Sequence, residues 1–96
     1  MAWIYILECS DGSYYTGSTI DLDRRLWEHN EGLAANFTRT RRPVKLVFAE
    51  PSDSIETAFL REKQVQGWSR AKKKALIEGR MGDLPSLSKS GTNSPN

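Results

Sequence analysis

A chain of 96 residues, 38% hydrophobic, 9% aromatic and 27% charged, has room for one domain and is not the low-hydrophobicity kind of sequence that stays unfolded. One cysteine, Cys9, and one histidine, His29, exclude a disulfide-stapled scaffold and a four-ligand zinc site. The formal net charge is only +2, no apolar run approaches the ~20 residues of a membrane span, and no signal sequence opens the chain, so a cytoplasmic protein is expected.

Trp3 to Leu7 and Tyr14 to Thr19 are rich in β-branched and aromatic residues and flank the turn cluster Ser10-Asp11-Gly12-Ser13, which predicts a β-hairpin. A two-residue Asp11-Gly12 turn would place Tyr5 opposite Ser18 and on the other face from Tyr15. A three-residue loop with a left-handed Gly12 would place Tyr5 opposite Gly17, with both tyrosines on one face. Both registers remain open at this level.

Asp21 as N-cap, Leu22 and Leu26 four apart, and Gly32 as terminator predict a helix over residues 22–31. Residues 32–43 show no period and are expected to be a basic loop. Val44 to Ala49 predicts a third strand, ended by Pro51. Asp53 followed by Glu56 makes a capping-box-like start for a helix whose inner face should carry Ile55, Ala58, Phe59 and Val65. Ser69 caps a last helix, with Ala71, Ala75 and Leu76 inward and an end near Gly79. From Gly82 the composition turns to Ser, Pro, Gly and Asn, so a domain over 1–82 and a disordered tail over 83–96 are expected. The predicted order is β-β-α-β-α-α, an α+β fold.

Charge is segregated along this order. Residues 1–23 carry four acids and no base, residues 24–45 carry six bases against two acids, and residues 61–80 carry seven against two. Such segregation suits a one-sided surface for a polyanion, and equally the solvated faces of two helices.

Three positions stand out chemically. Glu62 lies seven residues after Ile55, where the helix spacing asks for an apolar group. A carboxylate persists there if a cation, a metal or hydrogen bonds compensate it, or if it sits at the stripe edge and pairs in solvent with Arg61, Lys63 or Gln66. Arg25 and His29, four apart, share one side of the first helix, and a guanidinium fork suits phosphate oxygens. The plain alternative for Arg25 is an ion pair with Asp21.

Taken together these residues resemble the GIY-YIG nuclease superfamily, most closely its small single-domain bacterial members. Trp3-Ile4-Tyr5 and Tyr15-Thr16-Gly17 match the two name-giving elements, Ser18 to His29 matches the tract with its Arg and His, and Arg42-Pro43-Val44, Ala58 to Lys63 and Gly67 to Lys73 match the third strand and the glutamate-bearing helix. Trp3 replaces the usual Gly and Thr16 the usual Ile. The resemblance covers about residues 2–80 and implies a three-stranded antiparallel sheet flanked by helices. It also implies phosphodiester cleavage in DNA with one divalent metal, Mg2+ or Mn2+. Position by position it makes Glu62 the metal ligand and Tyr5 the group that activates or orients the attacking water. Arg25 becomes the phosphate holder, with Tyr15 and His29 assisting in positioning or proton transfer. A repair or recombination role is implied as well.

Arg39, Arg41, Arg42, Lys63, Lys72 and Lys73 are then expected to supply a phosphate-binding surface. No second DNA-binding module is present in the sequence, so target selection would come from this domain, from self-association or from a protein partner. The rival from another class is a nucleic-acid-binding module that grips DNA with the same face and cuts weakly. A base-stacking sheet of the RNA-recognition type has the wrong order of elements.

Overall fold

The computed structural model describes residues 1–79. Its elements are β1 (Ala2–Glu8), β2 (Tyr14–Thr19), α1 (Leu22–Asn30), α2 (Asn36–Arg39), β3 (Lys45–Ser52), α3 (Ile55–Gln66) and α4 (Arg70–Ile77). The predicted end of the domain at 82 and the predicted tail over 83–96 lie outside the described residues. The three strands form an antiparallel sheet in the order β2-β1-β3, with helices on both faces.

Gly12 decides the hairpin register. It adopts φ 86°, its N–H donates to the Cys9 carbonyl at 2.9 Å, and Cys9 N–H donates to Ser13 at 2.8 Å, closing the three-residue loop. A left-handed residue in that position strongly favours glycine. Tyr5 therefore pairs with Gly17 and Leu7 with Tyr15, so both tyrosines emerge on one face.

Alternation along β1 divides the core in two. Tyr5 and Leu7 pack with Cys9, Val44, Leu22 and Leu26 beneath α1. Ala2, Ile4 and Ile6 turn the other way, against Ala58 and Val65 of α3 and Leu76 of α4. Full burial of each large apolar side chain contributes about 1.5–3 kcal/mol, so both faces are needed to hold a sheet this small.

Five sequence expectations shift. The 32–43 segment is not all loop: Asn36–Arg39 makes a single helical turn with no side-chain cap. That turn is too short to show a period and is held by tertiary contacts. β3 runs on through Pro51 to Ser52, which its position as an edge strand allows. Ser54, not Asp53, caps α3, its Oγ accepting from Thr57 N–H at 3.1 Å. On α3 the inner face is Ala58, Glu62 and Val65, while Phe59 is 48% and Ile55 37% exposed. A small Ala58 against Ala2 and Ile4 brings the helix close to the sheet, and Phe59 turns outward beneath the Lys63 ammonium. Ala71 is likewise exposed, whereas Ala75 and Leu76 are buried as expected.

After α2, the side-chain amide of Asn30 grips the backbone of Val44 on both sides, accepting from its N–H at 2.8 Å and donating to its carbonyl at 3.2 Å. This fixes the entry into β3 against the end of α1.

Candidate active site

Tyr5, Tyr15 and His29 form one aromatic cluster on the α1 face of the sheet. The His29 ring lies 5.7 Å from Tyr5 and 5.1 Å from Tyr15, edge-on to both. Tyr5 lies across Gly17 so closely that a Cβ there would fall 2.6 Å from Tyr5 Cζ. Only glycine leaves room for that ring to reach over β2, the edge strand.

The Tyr5 hydroxyl and His29 Nε2 are 2.9 Å apart in a fully buried setting. Burial, reinforced by the Arg25 charge, lowers the His29 pKa from 6.5 to about 4, so the ring is neutral at neutral pH. Burial raises Tyr5 to about 12, against the opposing pull of Arg25. Tyr15 is raised too, by burial and then by the Glu62 charge. The proton thus rests on Tyr5, whose oxygen is in hydrogen-bond contact with a neutral ring.

The depressed histidine has a consequence for stability. An unfolded chain takes up a proton on His29 near pH 6.5, the folded one near pH 4, so folding stability is full above 6.5 and falls as pH drops through that window. The loss is of order 3 kcal/mol. Urea unfolding at a series of pH values should show this slope in the wild type and a flatter one in His29→Gln; equal slopes would refute the account of His29.

Arg25 donates Nη1–H to Glu28 at 3.0 Å rather than pairing with Asp21, which instead caps α1 through Arg24 N–H. The Arg25 Nε–H is buried and has no hydrogen-bond partner among the described residues. An orphaned buried donor costs about 1–3 kcal/mol, and a phosphate oxygen would satisfy it. Ser18, Arg24 and Arg25 line a cleft of about 300 Å³ at the start of α1.

Glu62 approaches from the opposite side. It projects from α3, on the sheet face away from the tyrosines, and reaches the β2 edge through Ser18. It is only 9% exposed, so of the expected solvent partners Gln66 alone is met, and in a buried setting. Its Oε1 accepts from Ser18 Oγ–H at 2.6 Å and its Oε2 from Gln66 Nε2–H at 2.7 Å, and Gln66 also donates to the Thr16 carbonyl. Arg61 pairs with Glu50 instead, and Lys63 covers Phe59. Ser18 and Gln66 therefore orient the carboxylate, no cation among the described residues contacts it, and each oxygen keeps a free lone pair. That fits one hard divalent cation completed by water and substrate oxygens, since magnesium commonly takes one or two carboxylates. Among the described residues no group of three or more His, Cys, Asp and Glu gathers elsewhere as a cation site.

The six basic residues are distributed unevenly. Arg41 pairs with Asp11 at 3.1 Å and covers Phe37, and Arg42 donates to the carbonyls of Arg39 and Asn30. Both support the α2 region while remaining at the surface, and Arg39 is exposed beside them. Lys63 follows Glu62, whereas Lys72 and Lys73 belong to α4, on the far face, where Lys72 covers Trp68. Ser18, Phe37 and Thr38 were not singled out by sequence, and Gln66 only as a solvent partner of Glu62. Only Gln66 had a readable signal, four residues after Glu62 on one helix face.

The GIY-YIG catalytic domain family model matches residues 1–75. A UPF0213 protein of Halobacterium salinarum is 50% identical over 77 residues, covering 80% of this chain and all of that protein. One from Syntrophus aciditrophicus is 49% identical over 77 residues, covering 79% of this chain and 88% of its own. The solution NMR structure of a UPF0213 protein from Bacillus halodurans, 41% identical, superposes with a TM-score of 0.53, covering 97% of this chain and all of the other.

Proposed function

The chain belongs to the GIY-YIG catalytic domain family, a nuclease family, and from that premise we propose that it is a divalent-metal-dependent DNA endonuclease serving repair or recombination. The observation that carries this reading is the pairing of a Tyr5 hydroxyl, 2.9 Å from a neutral His29 Nε2, with a buried Glu62 carboxylate held in place by Ser18 and Gln66. One side supplies a proton path and the other an anchor for the ion.

The chemistry divides among the residues accordingly. A cation held by Glu62 would supply Lewis-acid polarisation of the phosphate and acidify water at the site. Tyr5 takes a proton from the attacking water on its oxygen as its own proton passes to His29 Nε2, so the phenol never bears a full charge. Its elevated pKa makes such a coupled transfer preferable to prior ionisation. Arg25 offers its free Nε–H and its charge to the scissile phosphate, where negative charge grows during attack. Tyr15 packs against His29 and limits the ring's movement. Arg39, Arg41, Arg42 and Lys63 would grip flanking phosphates, and Lys72 and Lys73 would add long-range attraction from the far face. Target choice falls to this surface, to a second copy or to a protein partner.

A second reading, a module that grips DNA and cuts weakly, draws support from Tyr5 being held as a neutral phenol. Incubation with supercoiled duplex and with branched DNA separates the two. The nuclease reading expects nicked products with millimolar magnesium and none with chelator, together with DNA affinity that falls with salt by a log-log slope of about −0.9 per phosphate contacted on duplex DNA. Salt-dependent binding without magnesium-dependent products favours the binding module.

A further inference from the structure

We propose that Thr38 is a positioning residue that locks His29 in the tautomer whose bare Nε2 faces Tyr5. The inference rests on the nuclease reading for its purpose and on the hydrogen-bond pattern for its substance. Thr38 and His29 are both fully buried, and Thr38 Oγ1 lies 2.8 Å from His29 Nδ1. A hydroxyl has one proton to give, and that of Thr38 is directed at the Ala35 carbonyl, 3.1 Å away, at the start of α2. Toward His29 the threonine oxygen is then an acceptor, so Nδ1 must carry the hydrogen. A neutral ring with its proton on Nδ1 has a lone pair on Nε2, and among the described residues the partner there is the Tyr5 hydroxyl.

The result is one directed chain, from Tyr5 O–H to His29, from His29 to Thr38, and from Thr38 to a backbone carbonyl. Reversing the ring would turn Nε2 into a donor, and Tyr5 would lose the acceptor for its proton. A histidine side chain in water prefers the Nε2–H form, so the lock works against intrinsic preference. Two contacts hold it in place: Phe37, the residue before Thr38, stacks on Tyr15 with centroids 5.9 Å apart, and the Arg41 guanidinium lies 4.0 Å over the Phe37 ring. This gives α2 a role in the site that its four residues would not suggest alone.

The test reads the ring directly, by proton–nitrogen correlation NMR on the free, isotopically labelled protein at neutral pH. Wild type and Thr38→Ser, which keeps the hydroxyl, should show a protonated Nδ1 and a bare Nε2. Thr38→Val, similar in shape without the hydroxyl, should move both nitrogen signals toward the opposite tautomer. Single-turnover cleavage at saturating DNA should fall about 10- to 100-fold in Thr38→Val, the scale known for metal-bound histidines that lose an orienting partner, and recover in Thr38→Ser. A wild-type ring protonated on Nε2, or Thr38→Val signals identical to wild type, overturns the proposal. If Thr38→Val does not fold, the wild-type tautomer decides alone. Because the NMR reading needs no DNA and no cleavage, a protein that binds without cutting can still bear out the tautomer lock while failing as a nuclease.

Discussion

Tyr5→Phe is expected to slow single-turnover DNA cleavage by about 10²- to 10⁴-fold, the usual range for removing a positioned proton-transfer group. The phenylalanine keeps the ring that lies across Gly17, so the packing of the edge strand survives. What disappears is the oxygen that would receive the water's proton and the hydrogen that would pass to His29. DNA affinity should stay close to that of wild type, because Arg25 and the surface cations are untouched. Stability should fall by about 1–3 kcal/mol, since His29 Nε2 is left buried without a partner. Quench-flow kinetics at saturating DNA and urea unfolding check the two halves separately. A variant that cuts within a few-fold of wild type would remove Tyr5 from the chemistry.

Glu62→Gln should have the larger effect on activity. The amide preserves size and can still meet Ser18 and Gln66, but it is a poor ligand for a hard cation. Cleavage should drop by 10³-fold or more, the scale expected when several kcal/mol of Lewis-acid stabilisation is lost. DNA binding should hold or tighten slightly as a negative charge leaves a phosphate site. Magnesium titration followed by NMR gives an independent view: in the wild type, millimolar metal should shift signals of Ser18, Gln66 and Tyr5 first, and in Glu62→Gln those shifts should vanish. Retention of the same metal-induced shifts would place the ion elsewhere.

Much of this arrangement was legible in the sequence because it is carried by local signals. Glycine and Asp at the hairpin turn, Asp21 and Ser69 as caps, and the apolar alternation of Trp3 to Leu7 each specify their own element. The hairpin register was not settled, since one residue of difference flips every side chain, and both loops use Gly12. Its resolution put Tyr5 and Tyr15 together. The oddity of Glu62 is visible as a broken stripe, yet the buried stripe runs along a different line of the helix from the one apolar spacing suggests. Hydrophobic spacing favoured Phe59 as an inner residue, and close helix–sheet contact chose Ala58 instead.

Thr38 and Ser18 gave no signal because their importance lies in a single partner far along the chain: His29 nine residues before one, Glu62 forty-four residues after the other. Nor does any pattern in the sequence say that Glu62 would come from beneath the sheet while Tyr5 lies above it. That follows from an edge strand with a glycine in it, around which two faces meet.

The metal assignment of Glu62 is tested most directly by cleavage of bound DNA by wild type and Glu62→Gln, measured side by side at equal, saturating occupancy and millimolar magnesium. It predicts that wild type converts the bound DNA to nicked product, that chelator stops it, and that Glu62→Gln holds the same DNA uncut. Equal cleavage by both proteins, or bound DNA that wild type leaves intact with magnesium present, would contradict it.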